Sequence, residues 1–296
     1  MRKGHVQIFM KYERKLRAGQ GMDILGDRAF LLFDSGMCGV YDLKKRQDEA
    51  LDFFPLGSYN EGVPAREYRN HANSCMFGSL IPEGKEMPYL YVTIGSGIGT
   101  DEDGFHYRCA VEEITKTAEG AHQAKTLQII TYRPEEMGDL PWEQPAWGCP
   151  AFFADEKKKK MYILSARYRT KHGCVPEGKK NAYIVTAFDL PDLEAGTMVR
   201  LSPRDIKDQF AVESDVLFTQ GGALYDDKIY YTFGCPGGGY PNHVMVFDLE
   251  KKEIICNIGD MDEGFDQEEI ECCARYGEKF LCNTSTGSIY EVDIRI

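Results

Sequence analysis

The chain has 296 residues, 43% of them hydrophobic and 12% aromatic, which excludes intrinsic disorder and low-complexity architectures. Its 47 acidic and 35 basic residues leave a formal charge of −12, so nucleic acid and anionic membrane surfaces are not expected as partners. Arg2, Lys3, Lys11, Glu13, Arg14 and Lys15 break up the first residues, and no apolar run reaches signal-peptide or membrane-span length. A cytoplasmic protein is the expectation. Of 10 cysteines, Cys38, Cys75, Cys149, Cys256, Cys272 and Cys273 sit in apolar, strand-like runs, and no Cys-x-x-Cys pair occurs. Buried free thiols are expected, not disulfides or a structural zinc site.

In chain order, His5 to Tyr12 has strand character. Gln20–Leu43, QGMDILGDRAFLLFDSGMCGVYDL, then reads as a small or apolar strand, a charged turn at Asp27-Arg28, an aromatic strand, a loop, and a strand ending Tyr41-Asp42-Leu43. Ala50–Phe54 supplies a fourth strand. A second unit runs from Asn73 through Cys75-Met76-Phe77-Gly78 and Tyr89-Leu90-Tyr91-Val92 to Val111–Ile114, followed by Thr126–Tyr132. A third runs from Cys149 through Ala151-Phe152-Phe153 and Met161–Leu164 to Phe188-Asp189-Leu190, with its fourth strand somewhere in Thr197–Val216. The next begins at Gln220, QGGALYDDKIYYTFG, closes with Phe247-Asp248-Leu249, and adds Glu253–Ile258. The last, Glu271–Ile294, aligns with the first without a gap at an offset of 251, and offers only three strands.

Five such units resemble an all-β, five-bladed β-propeller covering residues 1–296 as a single domain. In that arrangement the N-terminal strand completes the last blade and closes the ring. A six-bladed ring, with the second or third unit split, and a pair of β-sandwiches are the alternatives. The resemblance is one of pattern: there is no Trp-Asp series, kelch double-glycine array or Asp-box, so no functional family lends its site residues.

Repeat equivalence nominates Gln20, Asn73, Cys149, Gln220 and Glu271 as a polar ring around the axis. Arg17 or its neighbours, His71, Trp147, Phe218 and Glu269 lie two residues earlier, one step nearer the mouth. Gln20, Asn73, Trp147, Gln220 and Glu271 are therefore candidate contacts for a small polar molecule such as a saccharide, with Trp147, Tyr168 and Tyr240 as flat faces. The same amides could instead hold trapped water. His71 is a candidate general base. Glu269 and Glu271, two apart, are candidate acid and base if crowding separates their pKa values, and could equally chelate Ca2+. No organic cofactor is expected. Asp34, Asp101 and Asp103 are only loosely placed. Gly95-Ser96-Gly97-Ile98-Gly99 lacks a following helix and is set aside as a dinucleotide motif, Lys157–Lys160 reads as a solvated hairpin tip, and Cys235–Tyr240 reads as a loop or lid. Three functions follow: a ligand-binding propeller, a carbohydrate- or lactone-acting hydrolase or lyase using His71 and Glu269/Glu271, and a protein–protein scaffold.

Overall fold

The computed structural model describes residues 2–13, 18–34, 36–59, 70–94, 108–144, 147–168 and 175–296, except the side chains of 2, 3, 135 and 147–149. The strands form five small sheets, the blades of a β-propeller. Blade 1 comprises Gly19–Leu25, Arg28–Phe33, Met37–Asp42 and Asp52–Pro55. Blade 2 comprises Ser74–Phe77, Leu90–Thr93, Arg108–Lys116 and His122–Tyr132. Blade 3 is Trp147–Asp155, Lys160–Ala166, Ala182–Asp189 and Asp208–Glu213, and blade 4 is Thr219–Tyr225, Lys228–Cys235, Tyr240–Asp248 and Glu253–Gly259. Blade 5 joins Ile270–Tyr276, Lys279–Thr284 and Ser288–Val292 to the N-terminal Val6–Lys11, which pairs antiparallel with the last of them. The ring thus closes with the first segment of the chain. No helix among the described residues is long and apolar enough to cross a membrane.

Local chemistry explains the repeat. Leu25 pairs with Arg28 and Tyr276 with Lys279 across two-residue turns, and the first turn residue is Gly26 at φ 61° or Gly277 at φ 60°. This left-handed backbone gives the hairpin a twist that matches its strands. Blade 4 makes the same turn with Asp226 and Asp227, both at positive φ. The aspartate ending the third strand is a turn cap. Asp42 accepts from the N–H groups of Lys44 and Lys45 at 3.0 and 2.9 Å, and Asp248 accepts from those of Glu250 and Lys251 at 3.0 and 2.8 Å. These backbone donors hold both carboxyls below the usual carboxylate range. The leucine that follows, Leu43 or Leu249, donates to Asp27 O or Asp227 O at 3.0 Å, which locks turn to turn.

The cores fill the wedges between blades. Phe30 meets Phe77 edge-on at 4.9 Å between blades 1 and 2, and Tyr230 stacks on Phe280 at 4.3 Å between blades 4 and 5. Burial of each such ring contributes about 1.5–3 kcal/mol. Cys38, Cys75, Cys109, Cys256, Cys272, Cys273 and Cys282 are buried free thiols within these layers, while Cys235 is half-buried.

Two expectations are refined. The region 197–216 divides: Asp208–Glu213 completes blade 3, but Met198–Leu201 crosses over and pairs in parallel with the outer strand of blade 2. Gln128 on that strand fixes the crossing segment, donating to Asp192 O at 2.9 Å and Gly196 O at 2.8 Å. Blade 4 likewise gains Arg2–Lys3 as a fifth, parallel strand.

The inner strands do not enclose an open tube. In blades 1, 3, 4 and 5 the ladder to the second strand slips at the ring residues, between Gly19 and Met22, Trp147 and Ala151, Thr219 and Gly222, and Ile270 and Cys272. A bulge frees backbone groups from their own sheet, and here they bond across blades. Gly21 N–H donates to Ala72 O at 2.8 Å, and Asn283 Nδ2 donates to Gln20 O at 2.7 Å. Thr232 Oγ1 reaches Glu271 O at 3.0 Å. Ser74 Oγ of blade 2 donates to Gly222 O of blade 4 at 3.0 Å and accepts from Gly222 N–H at 3.2 Å. A Cβ on Gly221 would stand 2.5 Å from Asn73 O and 2.9 Å from Glu271 O. Blades 2 and 4 therefore touch across the axis. Two alanine substitutions separate the effects of backbone strain and lost space. Gly26→Ala, with open space around its Cβ, should cost about 1 kcal/mol in urea unfolding from its positive φ alone. Gly221→Ala would press first on the Asn73 and Glu271 carbonyls, with Cys272 Sγ next at 3.1 Å, and should cost about 3 kcal/mol or prevent folding.

Candidate functional site

Closure at Gly221 and Ser74 leaves the axis with two mouths, at opposite ends of the inner strands. Near the end of the axis where these strands begin lie four of the five ring residues, Gln20, Asn73, Gln220 and Glu271, all of them buried. The Gln220 amide donates to Gly234 O and to Glu269 Oε1, each at 2.8 Å. Tyr231 holds the Gln220 carbonyl at 2.6 Å. Glu268, adjoining, accepts from Thr284 Oγ1 at 2.5 Å and Ser288 Oγ at 3.1 Å. Burial, then the nearby Glu269 carboxylate, push the Cys235 thiol up, so it stays protonated at neutral pH. Both glutamates of the expected acid–base pair lie close enough to Cys235 to act on it.

Asn73 differs from its neighbours. It is 2% exposed, yet neither its Nδ2 nor its Oδ1 has a hydrogen-bond partner among the described residues. Ser165 Oγ, opposite the blade 3 bulge, and Asn283 Oδ1 are also buried without partners. Each such group costs about 1–3 kcal/mol. Ala72, directly before Asn73, is fully buried at φ 52°, a strained conformation for a residue with a Cβ. On its other side His71 Nδ1 stands 2.7 Å from Asp34 Oδ1 of blade 1, both side chains one-fifth exposed. The two groups lie in contact but without hydrogen-bond geometry, since Asp34 Oδ1 has no hydrogen-bond partner among the described residues. Phe218, at φ 70°, packs on Tyr240 with ring centroids 5.1 Å apart.

Several candidates lie outside the described residues: Arg17, Asp101, Asp103, Gly95–Gly99, and the side chains of Trp147 and Cys149. Trp147 itself opens the inner strand of blade 3. Lys157 to Lys159 do form a hairpin tip, and Lys160 starts the next strand. No group of three or more His, Cys, Asp or Glu among the described residues is arranged to hold a metal ion.

The opposite mouth was missed in the sequence. It is a cavity of about 430 Å³ drawn from all five blades, with Asp23, Phe77, Lys157, Tyr225, Asp226 and Arg275 among its lining. Asp23 is the hub. Its carboxylate accepts from Phe77 N–H at 2.5 Å, Ile24 N–H at 2.8 Å and Tyr225 OH at 2.8 Å, and Tyr225 OH in turn accepts from Arg275 N–H at 3.1 Å. Blades 1, 2, 4 and 5 meet on this one residue. The available signal was a lone acid inside Met22-Asp23-Ile24-Leu25. Burial pushes the Asp23 carboxyl up to about 6, against the three donors that lower it.

No protein-family model matches the chain, and no curated protein matches it. Solved structures align with the chain at low identity. The glutaminyl cyclase of Myxococcus xanthus aligns over 98% of this chain and 97% of its own at 11% identity and TM-score 0.49. The tail fibre of Staphylococcus aureus phage P68 aligns over 98% of this chain and 52% of its own, at 9% identity and TM-score 0.46. Apo AztD from Citrobacter koseri covers 82% and 47%, at 14% identity and TM-score 0.29.

Because the Asp23 pKa is about 6 in the folded chain and near 3.8 unfolded, the folded state takes up this proton first. The group therefore stabilises the fold at low pH, and that contribution is lost as pH rises from about 4 through 6. It amounts to about 3 kcal/mol. Asp23→Asn lacks this titration. Urea midpoints of wild type and Asp23→Asn should converge or diverge by that amount between pH 4 and 7, in the direction that favours wild type at the acidic end. A pH-independent difference would mean the three donors outweigh burial.

Proposed function

We propose that this propeller binds a small polar molecule at the axial mouth bounded by Asn73, Gln20, Gln220, Glu269 and Glu271. The observation that carries the reading is the Asn73 amide, buried with donor and acceptor both unmatched. A native fold rarely keeps such a group without a partner, and the adjacent strained Ala72 adds a second cost at the same point. A ligand presenting one acceptor and one donor, as hydroxyl-rich sugars and amides do, would satisfy it. The Asp34, Glu268 and Glu269 carboxylates favour neutral or cationic molecules over anions. A saccharide belongs to this class, and Trp147 is the candidate to stack on it.

The 2.7 Å contact between His71 and Asp34 favours a second reading, in which the bound molecule is also a substrate. A carboxylate beside one ring nitrogen would leave the other to act as a base. Glu269 or Glu271 would then serve as the acid in hydrolase or lyase chemistry on a carbohydrate or lactone.

A thermal-shift panel of sugars, sugar acids, amines and divalent ions tests the first reading. A ligand at 100 times its Kd should add about 2.7 kcal/mol to stability. Asn73→Leu has similar volume and no polar atoms. It should raise the stability of the free protein by about 1 kcal/mol or more while abolishing the ligand-induced shift. Loss of stability in free Asn73→Leu would mean that water already satisfies the amide, and the ligand reading would fall. His71→Gln separates the two readings: binding should persist, and any turnover of the bound compound should disappear.

A further inference from the structure

We propose that the groove between blades 3 and 4 docks an extended, basic peptide segment of a partner protein, which adds a strand to the outer edge of blade 4. The groove is a cavity of about 900 Å³ between residues 212–217, which leave blade 3, and residues 253–257 of blade 4. Val216, Leu217, Tyr240 and Ile254 give it apolar walls, and Asp215 and Glu253 are exposed carboxylates on its lining. Neither carboxylate has a cationic partner among the described residues. His243 lies in the same groove, and burial lowers its pKa, so it adds no positive charge at neutral pH.

The backbone supplies the second argument. Arg2–Lys3 lies parallel on the outer side of Glu253–Gly259, but pairs only with Ile258 and Gly259. The outer side of residues 253–257 pairs with no strand among the described residues. That unpaired stretch, about 17 Å long, is continuous with a slot the chain already fills with its own basic dipeptide. Blade 2 is extended the same way, by Met198–Leu201 in parallel. Strand addition to an exposed edge draws affinity from main-chain hydrogen bonds and specificity from alternate side chains. Here one set of alternate side chains would meet the apolar walls. Basic residues in the segment would meet Asp215 and Glu253, on a chain whose net charge already attracts cations.

The test uses the full chain and two labelled ten-residue peptides, one alternating lysine with valine, the other glutamate with valine. The lysine peptide should bind, its glutamate counterpart should not, and amide exchange at residues 253–257 should slow about tenfold or more on binding. Asp215→Lys combined with Glu253→Lys changes two exposed side chains and should leave the thermal midpoint in place, while weakening the lysine peptide about tenfold or more. Equal binding to the charge-reversed protein, protection confined to another edge, or no protection at 253–257 would each overturn the proposal. Because Asn73 and its neighbours play no part, the outcome is independent of the axial ligand.

Discussion

The contact of blades 2 and 4 across the axis sets the terms for everything around it. Ser74 Oγ serves as donor and acceptor to one residue, Gly222, on the facing inner strand. The approach is possible because Gly221 carries no Cβ: an added methyl would stand 2.5 Å from Asn73 O and 2.9 Å from Glu271 O. The ladders of blades 1, 3, 4 and 5 bulge at the ring residues, while that of blade 2 stays regular beside them. The displaced peptide groups need new partners, since an unpaired buried amide or carbonyl is costly. The second strands supply them: Tyr231, Thr232 and Asn283 each hold a carbonyl of Gln220, Glu271 or Gln20. Polar residues in otherwise aliphatic and aromatic strands are thus a consequence of closing the axis.

The same contact separates two sites with different satisfaction of their polar groups. Below it, Asp23 draws three donors from three blades, each bond to a charged acceptor contributing about 1.5–3 kcal/mol against the burial of the carboxylate. That arrangement is complete, and its role is to tie blades together. Above it, Asn73, Ser165 and Asn283 keep unmatched atoms while the neighbouring glutamates and Gln220 are well held. The two ends of the axis thus differ in how completely their buried polar groups are paired.

What the sequence disclosed was chemistry confined to a few neighbouring residues. The turns at Asp27-Arg28 and Glu278-Lys279, the aspartates Asp42 and Asp248 that end the third strands, and the missing strand of the last unit each follow from contacts within one repeat or its closure, so the five-bladed ring was legible. Equivalence between repeats also placed Gln20, Asn73, Gln220 and Glu271 at one level. The bulges were not legible, because the backbone groups they free find partners on other blades and on second strands far away in sequence. The path of Met198–Leu201 was hidden for the same reason: a four-residue strand shows no preference for its own blade over the next, and Gln128 decides the matter from 70 residues away. Asp23 stood in plain view as an acid among apolar residues, but its meaning depends on donors from Phe77, Tyr225 and Arg275.

The upper mouth shows why such a site leaves no contiguous motif. Its described groups come one or two from each of four blades, at Gln20 and Asp34, at His71 and Asn73, at Gln220, and at Glu269 and Glu271, from residue 20 to residue 271 of the chain. Each blade contributes the residue that its inner strand happens to carry at the level of closure. The surrounding sequence is constrained only by the strand and turn pattern that every blade shares. A histidine therefore reveals its position through the repeat, but the carboxylate beside it, Asp34, belongs to a different repeat and emerges only when blades 1 and 2 are set side by side. In a closed ring the partner of a functional group is chosen by the neighbouring blade, and the chemistry becomes readable at the level of the ring.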